Sequence, residues 1–379
     1  MKNILMIAGE ASGDIYGAEL AKHLSGMVPV KISGIGGERM RNAGVEILFD
    51  ASEISVVGVS EILPKFRAIR RAYRLAKGAI KSHKIDMVVL IDYPGFNIRL
   101  AGIAKEAGIP VVYYISPQIW AWKKGRLRLI AERVKKMIVI LPFEEALYRN
   151  AGVDCTFAGH PLVDEIINTK PAEDTLLQYK VDKNNPVVGL LPGSRPGEIN
   201  SLLNDMLDAA KVLKKDNPFI QFVMAVAETL DFDYVRGMVS KSSLDVKIIR
   251  GEANDVLNIS DVIIAASGTI TLQAALFEKP MVVLYRVSKL TYFAAKLLVK
   301  IKDICIVNIL AGRRIVPELL QTDVTPENIA EETKRILNDS AYYDRMKRDL
   351  HEVKVNLGPP GASERAAKVI AEMICTKDY

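Results

Sequence analysis

Cysteine is scarce in this 379-residue chain. The three present, Cys155, Cys305 and Cys375, are odd in number and far apart. No CxxC spacing and no Cys/His cluster occurs, which excludes a disulfide framework and a structural zinc site. Histidine is equally sparse, with His23, His83, His160 and His351 isolated from one another. No uninterrupted apolar run reaches the roughly 18 residues of a membrane span. The richest stretch, 281–301, is broken by Arg286, Lys289 and Lys296. The apolar run 4–8 is too short for a signal peptide and ends in an acidic loop, so a buried strand and a cytoplasmic protein are expected. A GxGxxG fingerprint is missing as well, which disfavours a nicotinamide oxidoreductase.

What is present points to a folded enzyme-sized chain. Hydrophobic residues make up 49% and charged residues 25%, a globular balance that excludes disorder. The length exceeds the roughly 250–300 residues at which one core stops growing, so two domains are expected. The net charge is +6, the pI near 9.0 and the mean hydropathy +0.13. A mildly basic, mildly apolar chain suggests an anionic partner: nucleic acid, a phosphorylated substrate or a membrane surface.

Short apolar runs alternate with helical patterns. Strands are expected at 3–8, 30–35, 85–91, 111–115 and 137–141, and again at 186–191, 220–225, 246–249, 262–265 and 281–284. The runs are continuously apolar, as strands covered on both faces are. The intervening helices imply βαβ units and parallel sheets. The fold class is therefore α/β, with two Rossmann-like domains and a cleft between them. The polar segment 169–185 reads as the interdomain linker. The domains are placed at 1–168 and 186–340, with a C-terminal helix of about 345–379 joining the first.

In such sheets ligands sit beyond the carboxyl ends of strands. After the first strand come Gly9, Glu10, Ala11, Ser12, Gly13 and Asp14. The bland reading is a turn with an Asp helix cap. The functional one has Glu10 or Ser12 grip an acceptor hydroxyl. Asp92 follows the 85–91 run, where a general base would stand; alternatively it caps the next helix. Trp120 and Trp122, the only two tryptophans, end another strand and precede a basic cluster, which suits binding or core packing. His160 closes the first domain. The second opens with Leu191-Pro192-Gly193-Ser194-Arg195, a loop of backbone N–H donors with a bidentate phosphate fork but no Walker lysine. Ser267, Gly268 and Thr269 at a later helix N-terminus offer a second diphosphate cradle, with Gln273 one turn on towards a ribose. Phosphate sites in one domain and a carboxylate in the other suit a two-domain nucleotide-sugar glycosyltransferase.

These motifs, in this order and spacing over nearly the whole chain and together with the segment 308–313, resemble the lipid-A-disaccharide synthases. The resemblance implies a GT-B fold, an inverting transfer from UDP-2,3-diacylglucosamine to 2,3-diacylglucosamine 1-phosphate, no metal or other cofactor, peripheral association with the inner membrane, and a homodimer with exchanged C-terminal parts. It gives Asp92 the base role and makes Arg195 the phosphate-loop arginine; whether Glu10 or His160 shares the base role stays open at the level of sequence. Glu10, Ser12 and Asn308 fall on further positions important to activity. The binding set comprises Gly193, Ser194, Arg195, Ser267, Gly268, Thr269, Gln273 and Asn308 for the nucleotide, and Ser12, Gly13 and Trp120 for the acceptor. This chain has Gly95 where the family often has a second Asp, and Gln273 where a glutamate commonly grips the ribose.

Both implied substrates carry acyl chains. Val59, Ile62, Phe66, Ile69, Tyr73 and Ile80 recur at helical spacing, and Leu63 lies on the same stretch. Ala68, Ala72, Leu75 and Ala79 continue the stripe. Arg67, Arg70, Arg71, Arg74, Lys77 and Lys81 cluster beside it, with no acidic residue over 62–84. The alanine side is expected to pack on the sheet, the bulky residues to meet acyl chains and the basic ones anionic headgroups. A second candidate lies at 290–302. No RNA-binding motif or stacking platform accompanies the basic charge, so nucleic acid is not expected as a partner. The rival readings are a UDP-GlcNAc 2-epimerase or another GT-B transferase, and a non-enzymatic nucleic-acid binder.

Overall fold

The strongest local signal, continuous β-branched runs, becomes two all-parallel sheets in the computed structural model. It describes residues 1–54, 62–82, 84–117, 125–167, 169–287 and 303–376, the side chains of 62–64 excepted. Trp120, Val59 and the stretch 290–302 lie outside the described residues, as do the side chains of Ile62 and Leu63.

The first unit runs β1 (Lys2–Ala8), α1 (Ala11–Met27), β2 (Val30–Gly36), α2 (Glu38–Asn42), β3 (Glu46–Asp50), α3 (Ile62–Lys81), β4 (Met87–Ile91), α4 (Pro94–Glu106), β5 (Val111–Tyr114), α5 (Gly125–Arg133), β6 (Lys136–Val139), α6 (Pro142–Asn150) and β7 (Cys155–Phe157). Its strand order is β3-β2-β1-β4-β5-β6-β7. The β4 and β5 strands are buried throughout, and β1 from Ile4 onwards. Helices cover both faces, and each fully buried aliphatic side chain contributes about 1.5–3 kcal/mol. Asp14 in α1 accepts from the Gly37, Arg39 and Met40 amides at 2.6, 3.1 and 3.2 Å. It is a cap, as the bland reading had it, but for α2 rather than for its own helix.

The second unit holds α7 (Leu162–Ile167), α8 (Ala172–Tyr179), β8 (Val187–Leu191), α9 (Pro196–Asp216), β9 (Gln221–Val226), α10 (Phe232–Lys241), β10 (Val246–Arg250), α11 (Ala253–Ile259), β11 (Val262–Ala266), α12 (Thr269–Leu276), β12 (Met281–Tyr285), α13 (Ile306–Ala311), β13 (Glu318–Leu320), α14 (Pro326–Asn338) and α15 (Ser340–Asn356). Its strand order is β10-β9-β8-β11-β12-β13. The chain then returns to the first unit through α16 (Ala362–Cys375), which packs on α1.

The units divide at Pro161/Leu162 and at Asn356/Leu357, which shifts the expected boundaries. Residues 162–168 and 341–356 go with the second unit. The 169–185 segment is not a bare linker, because α8 packs on α11 and Lys170 pairs with Glu252 at 2.9 Å. The return crossing sits at the Gly/Pro break. There Gly358 and Gly361 take left-handed φ values of 88° and 93°, and Arg365 donates to the Ala158, Pro359 and Pro360 carbonyls. Three strands escaped the sequence reading: β3, β7 and β13. All lie at sheet edges, where a short strand needs no continuous apolar run.

Candidate functional site

Strands β1 and β4 pair in parallel, with Ala8 opposite Ile91. The two loops that follow therefore leave the sheet side by side, one carrying Glu10 and the other Asp92. Gly9 is required here, since a Cβ would lie 2.3 Å from Tyr93 Cδ1. The β4 loop turns left-handed at two consecutive non-glycine residues, Asp92 (φ 45°) and Tyr93 (φ 47°). Pro94 then opens α4 without a side-chain cap, so Asp92 is not the helix cap that the bland reading made it.

Asp92 is half-buried, and its carboxyl is pushed up to about 6. Burial is the larger cause, the negative charge of Glu10 the second, and a bond from the Tyr93 amide works against both. A carboxylate of that basicity, at a strand end, is equipped to take a proton near neutral pH. Glu10 is half-buried at the N-cap position of α1. Ser12 is exposed on the first turn. Gly13 is buried against Ala8 and Ile91, so it serves helix–strand packing rather than an acceptor.

His160 lies apart in character. It is 5% exposed, its amide donates to Leu357 O at 2.9 Å, and burial pushes its imidazole down to about 3. Such a ring is a weak base, ill suited to sharing the base role, and it is the backbone amide of His160 that ties down the returning C-terminal segment.

In the second unit the 191–195 loop differs from expectation. Glu198 Oε2 accepts from the Ser194 amide at 2.9 Å and the Arg195 amide at 3.3 Å, and Oε1 meets Arg195 Nη1 at 3.3 Å. This capping box occupies the backbone donors expected to cradle phosphate. Gly193 (φ 116°) leaves the room, since a Cβ would fall 2.3 Å from Glu198 Oε2. Arg195 itself stays exposed, and among the described residues its side chain pairs with Glu198 alone. The start of α12 is more open: Gly268 and Thr269 are exposed, Ser267 is half-buried and, among the described residues, no side chain caps the helix. Gln273 donates to Asn254 Oδ1 at 3.2 Å.

Asn308 is not a ligand-facing amide. It is 1% exposed, donates to Val316 O and Glu318 Oε1, and accepts from the Ile315 and Val316 amides. Its hydrogen-bonding capacity is spent on bracketing α13 to β13.

The α3 helix divides as expected on one side only. Ala72 and Ala76 are buried, but so is Ile80 of the bulky stripe, and Ile69 and Tyr73 also pack on the core, Tyr73 edge-on to Phe96 at 5.6 Å. The helix needs that bulk to cover the sheet, so these three do not face lipid, whereas Leu75, expected on the packed side, is exposed. Phe66 is 59% exposed and borders a surface depression of about 570 Å³ with Arg67, Arg70, Arg71 and Arg74. Glu53 pairs with Arg71 at 2.6 Å. Among the described residues no helix is long and apolar enough to cross a membrane, and no cluster of His, Cys, Asp or Glu is arranged to hold a metal.

Two parallel α/β units of this kind make up the GT-B fold. The fold is similar to that of the S. aureus MnaA–UDP complex (16% identity, TM-score 0.67, covering 99% of this chain and 97% of that one). It is also similar to CalG4, the calicheamicin glycosyltransferase (17%, TM-score 0.63, all of both chains). Residues 4–373 match the family model described as lipid-A-disaccharide synthetase. Relatives include lipid-A-disaccharide synthases from Geobacter sulfurreducens, 44% identical over 98% of this chain and 97% of its own, and from Myxococcus xanthus, 43% identical with the same coverage. The chain belongs to the lipid-A-disaccharide synthase family and is a glycosyltransferase of lipid A biosynthesis.

Sequence reasoning passed over Glu198, Asn97 and Tyr113. Glu198 carries the capping-box signal three residues after Arg195. Asn97 lies inside the Asp92 motif, whereas Tyr113 reaches it from the next strand and leaves no local signal.

The raised Asp92 carboxyl predicts a pH-dependent trade. Its folded value exceeds the ordinary one, so its contribution favours the fold at low pH and is lost as pH rises through about 6. Asp92→Asn should therefore stabilise the protein by about 2–3 kcal/mol at pH 8, with the gain vanishing towards pH 4. Denaturant midpoints at the two pH values check this.

Proposed function

We propose that the chain joins UDP-2,3-diacylglucosamine to 2,3-diacylglucosamine 1-phosphate, giving the β-1,6-linked disaccharide 1-phosphate and UDP. The acceptor 6-hydroxyl oxygen attacks the anomeric carbon as its proton passes to Asp92. The bond to UDP breaks, and UDP leaves with the electron pair from the opposite face. Glu10 orients the acceptor and, by its charge, keeps Asp92 basic. The second unit holds the nucleotide: Arg195 takes the diphosphate charge together with the open N-terminus of α12 at Ser267, Gly268 and Thr269, and Gln273 turns from Asn254 to a ribose hydroxyl. Family membership supports the reaction, and the half-buried carboxyl of Asp92 beside Glu10 is the single observation that carries the mechanism.

The protein works as a peripheral protein at the cytoplasmic side of the inner membrane, as a homodimer. Phe66 enters the headgroup layer, and Arg67, Arg70 and Arg74 meet anionic headgroups. Support comes from the exposure of Phe66 and from the arginines around it, of which Arg71 is paired with Glu53.

Asp92→Asn should lower turnover by about 10²–10⁴-fold while UDP affinity stays within twofold, and wild-type kcat/KM should rise with pH through about 6. Mass spectrometry of the disaccharide product measures the turnover. A variant that keeps wild-type turnover refutes the base role. For the surface, Phe66→Ser combined with Arg70→Ser should weaken sedimentation with phosphatidylglycerol vesicles about tenfold at unchanged melting temperature. Unchanged sedimentation refutes the docking face.

A further inference from the structure

We infer that Tyr113 and Asn97 are positioning residues for Asp92: together they clamp the left-handed turn at the end of β4 that sets its carboxylate beside Glu10. The inference rests on the base role of Asp92.

Two consecutive non-glycine residues in the left-handed region cost about 1–3 kcal/mol each and persist only where the surroundings over-determine them. Here the surroundings do so from three directions. Tyr113 on β5 donates its hydroxyl to Asp92 O at 2.5 Å. Asn97 on α4 donates Nδ2 to the same carbonyl at 2.8 Å and to Ile91 O at 3.1 Å. The Asp92 amide donates to Tyr114 O at 3.2 Å. One carbonyl thus receives two side-chain donors from two different elements, while the next residue, Tyr93, is held through its own hydroxyl to Ile54 O at 3.2 Å.

Both clamping side chains are fully buried, where an apolar residue would pack at less cost. Asn97 Oδ1 is buried with no hydrogen-bond partner among the described residues, a loss of about 1–3 kcal/mol. The site therefore keeps an amide for its two donors and tolerates the idle acceptor. Tyr113 is a permanent donor, because burial and the nearby Asp92 charge hold its phenol well above the ordinary range. Removing the clamp lets the turn relax to ordinary backbone angles. The Asp92 carboxylate then swings towards water, where it is a weaker base and badly placed for the acceptor.

The test uses the full chain with both acylated substrates in detergent micelles, comparing wild type, Tyr113→Phe, Asn97→Ala and Asp92→Asn. Tyr113→Phe should lower kcat at least tenfold, leave KM for the nucleotide sugar within twofold, and move the acid limb of the pH profile below its wild-type position near 6. A purely structural tyrosine would lower the melting temperature and leave the acid limb in place. Asn97→Ala should shift the limb in the same direction; if it does not fold, Tyr113→Phe decides alone. A Tyr113→Phe enzyme with wild-type kcat and acid limb, alongside an inactive Asp92→Asn, overturns the clamp and spares the base. Full turnover by Asp92→Asn overturns both.

Discussion

The parallel pairing of β1 with β4 is the constraint on which the first unit's chemistry depends. Ala8 and Ile91 end their strands in register, so the next residues of each chain segment must share one patch of surface. Glu10 and Asp92 are both acidic, and the charge of Glu10 makes Asp92 harder to ionise. Burial adds to this, and Asp92 becomes a carboxyl that titrates near 6 rather than near 4. The apolar interior of the sheet thus does two jobs. It stabilises the fold, and by excluding water from the strand ends it turns an ordinary aspartate into a base suited to neutral pH.

The second unit solves the opposite problem, holding positive charge and open amides ready. Arg195 is kept exposed at the start of a long helix while Glu198 satisfies the loop amides around it. The capping box fixes where the arginine emerges without burying its guanidinium. Among the described residues no side chain caps the start of α12, so its amides are the freer donors there. Asn308 acts at one remove, tying α13 to β13 through four hydrogen bonds. Its loss would disturb the end of the second sheet rather than a ligand contact.

Much of this was legible in the sequence, for a physical reason. Strands covered on both faces must be continuously apolar, so the interior strands announced themselves, and the carboxyl ends of those strands pointed at Glu10, Asp92, Arg195 and Ser267. The edge strands β3, β7 and β13 lacked that signature. What the sequence could not show was which polar groups satisfy one another across the fold. Asp14 reaches amides more than twenty positions away. Glu198 takes donors that a Gly/Ser loop offers by type. Asn308, singled out by the family resemblance, and His160, singled out by type, turn out buried. Periodicity on α3 likewise gave an apolar arc but not its division, which depends on Ile69 and Tyr73 meeting the core under the helix.

The central claim is that Asp92 is an elevated carboxyl whose basicity comes from burial and from Glu10. Carboxyl-carbon NMR with labelled aspartate, with Asp92 assigned by its absence in Asp92→Asn, measures this directly. The account predicts a titration midpoint near 6 in the wild type and a lower one in Glu10→Gln. A wild-type midpoint at the ordinary aspartate value near 4, unmoved by Glu10→Gln, would contradict it.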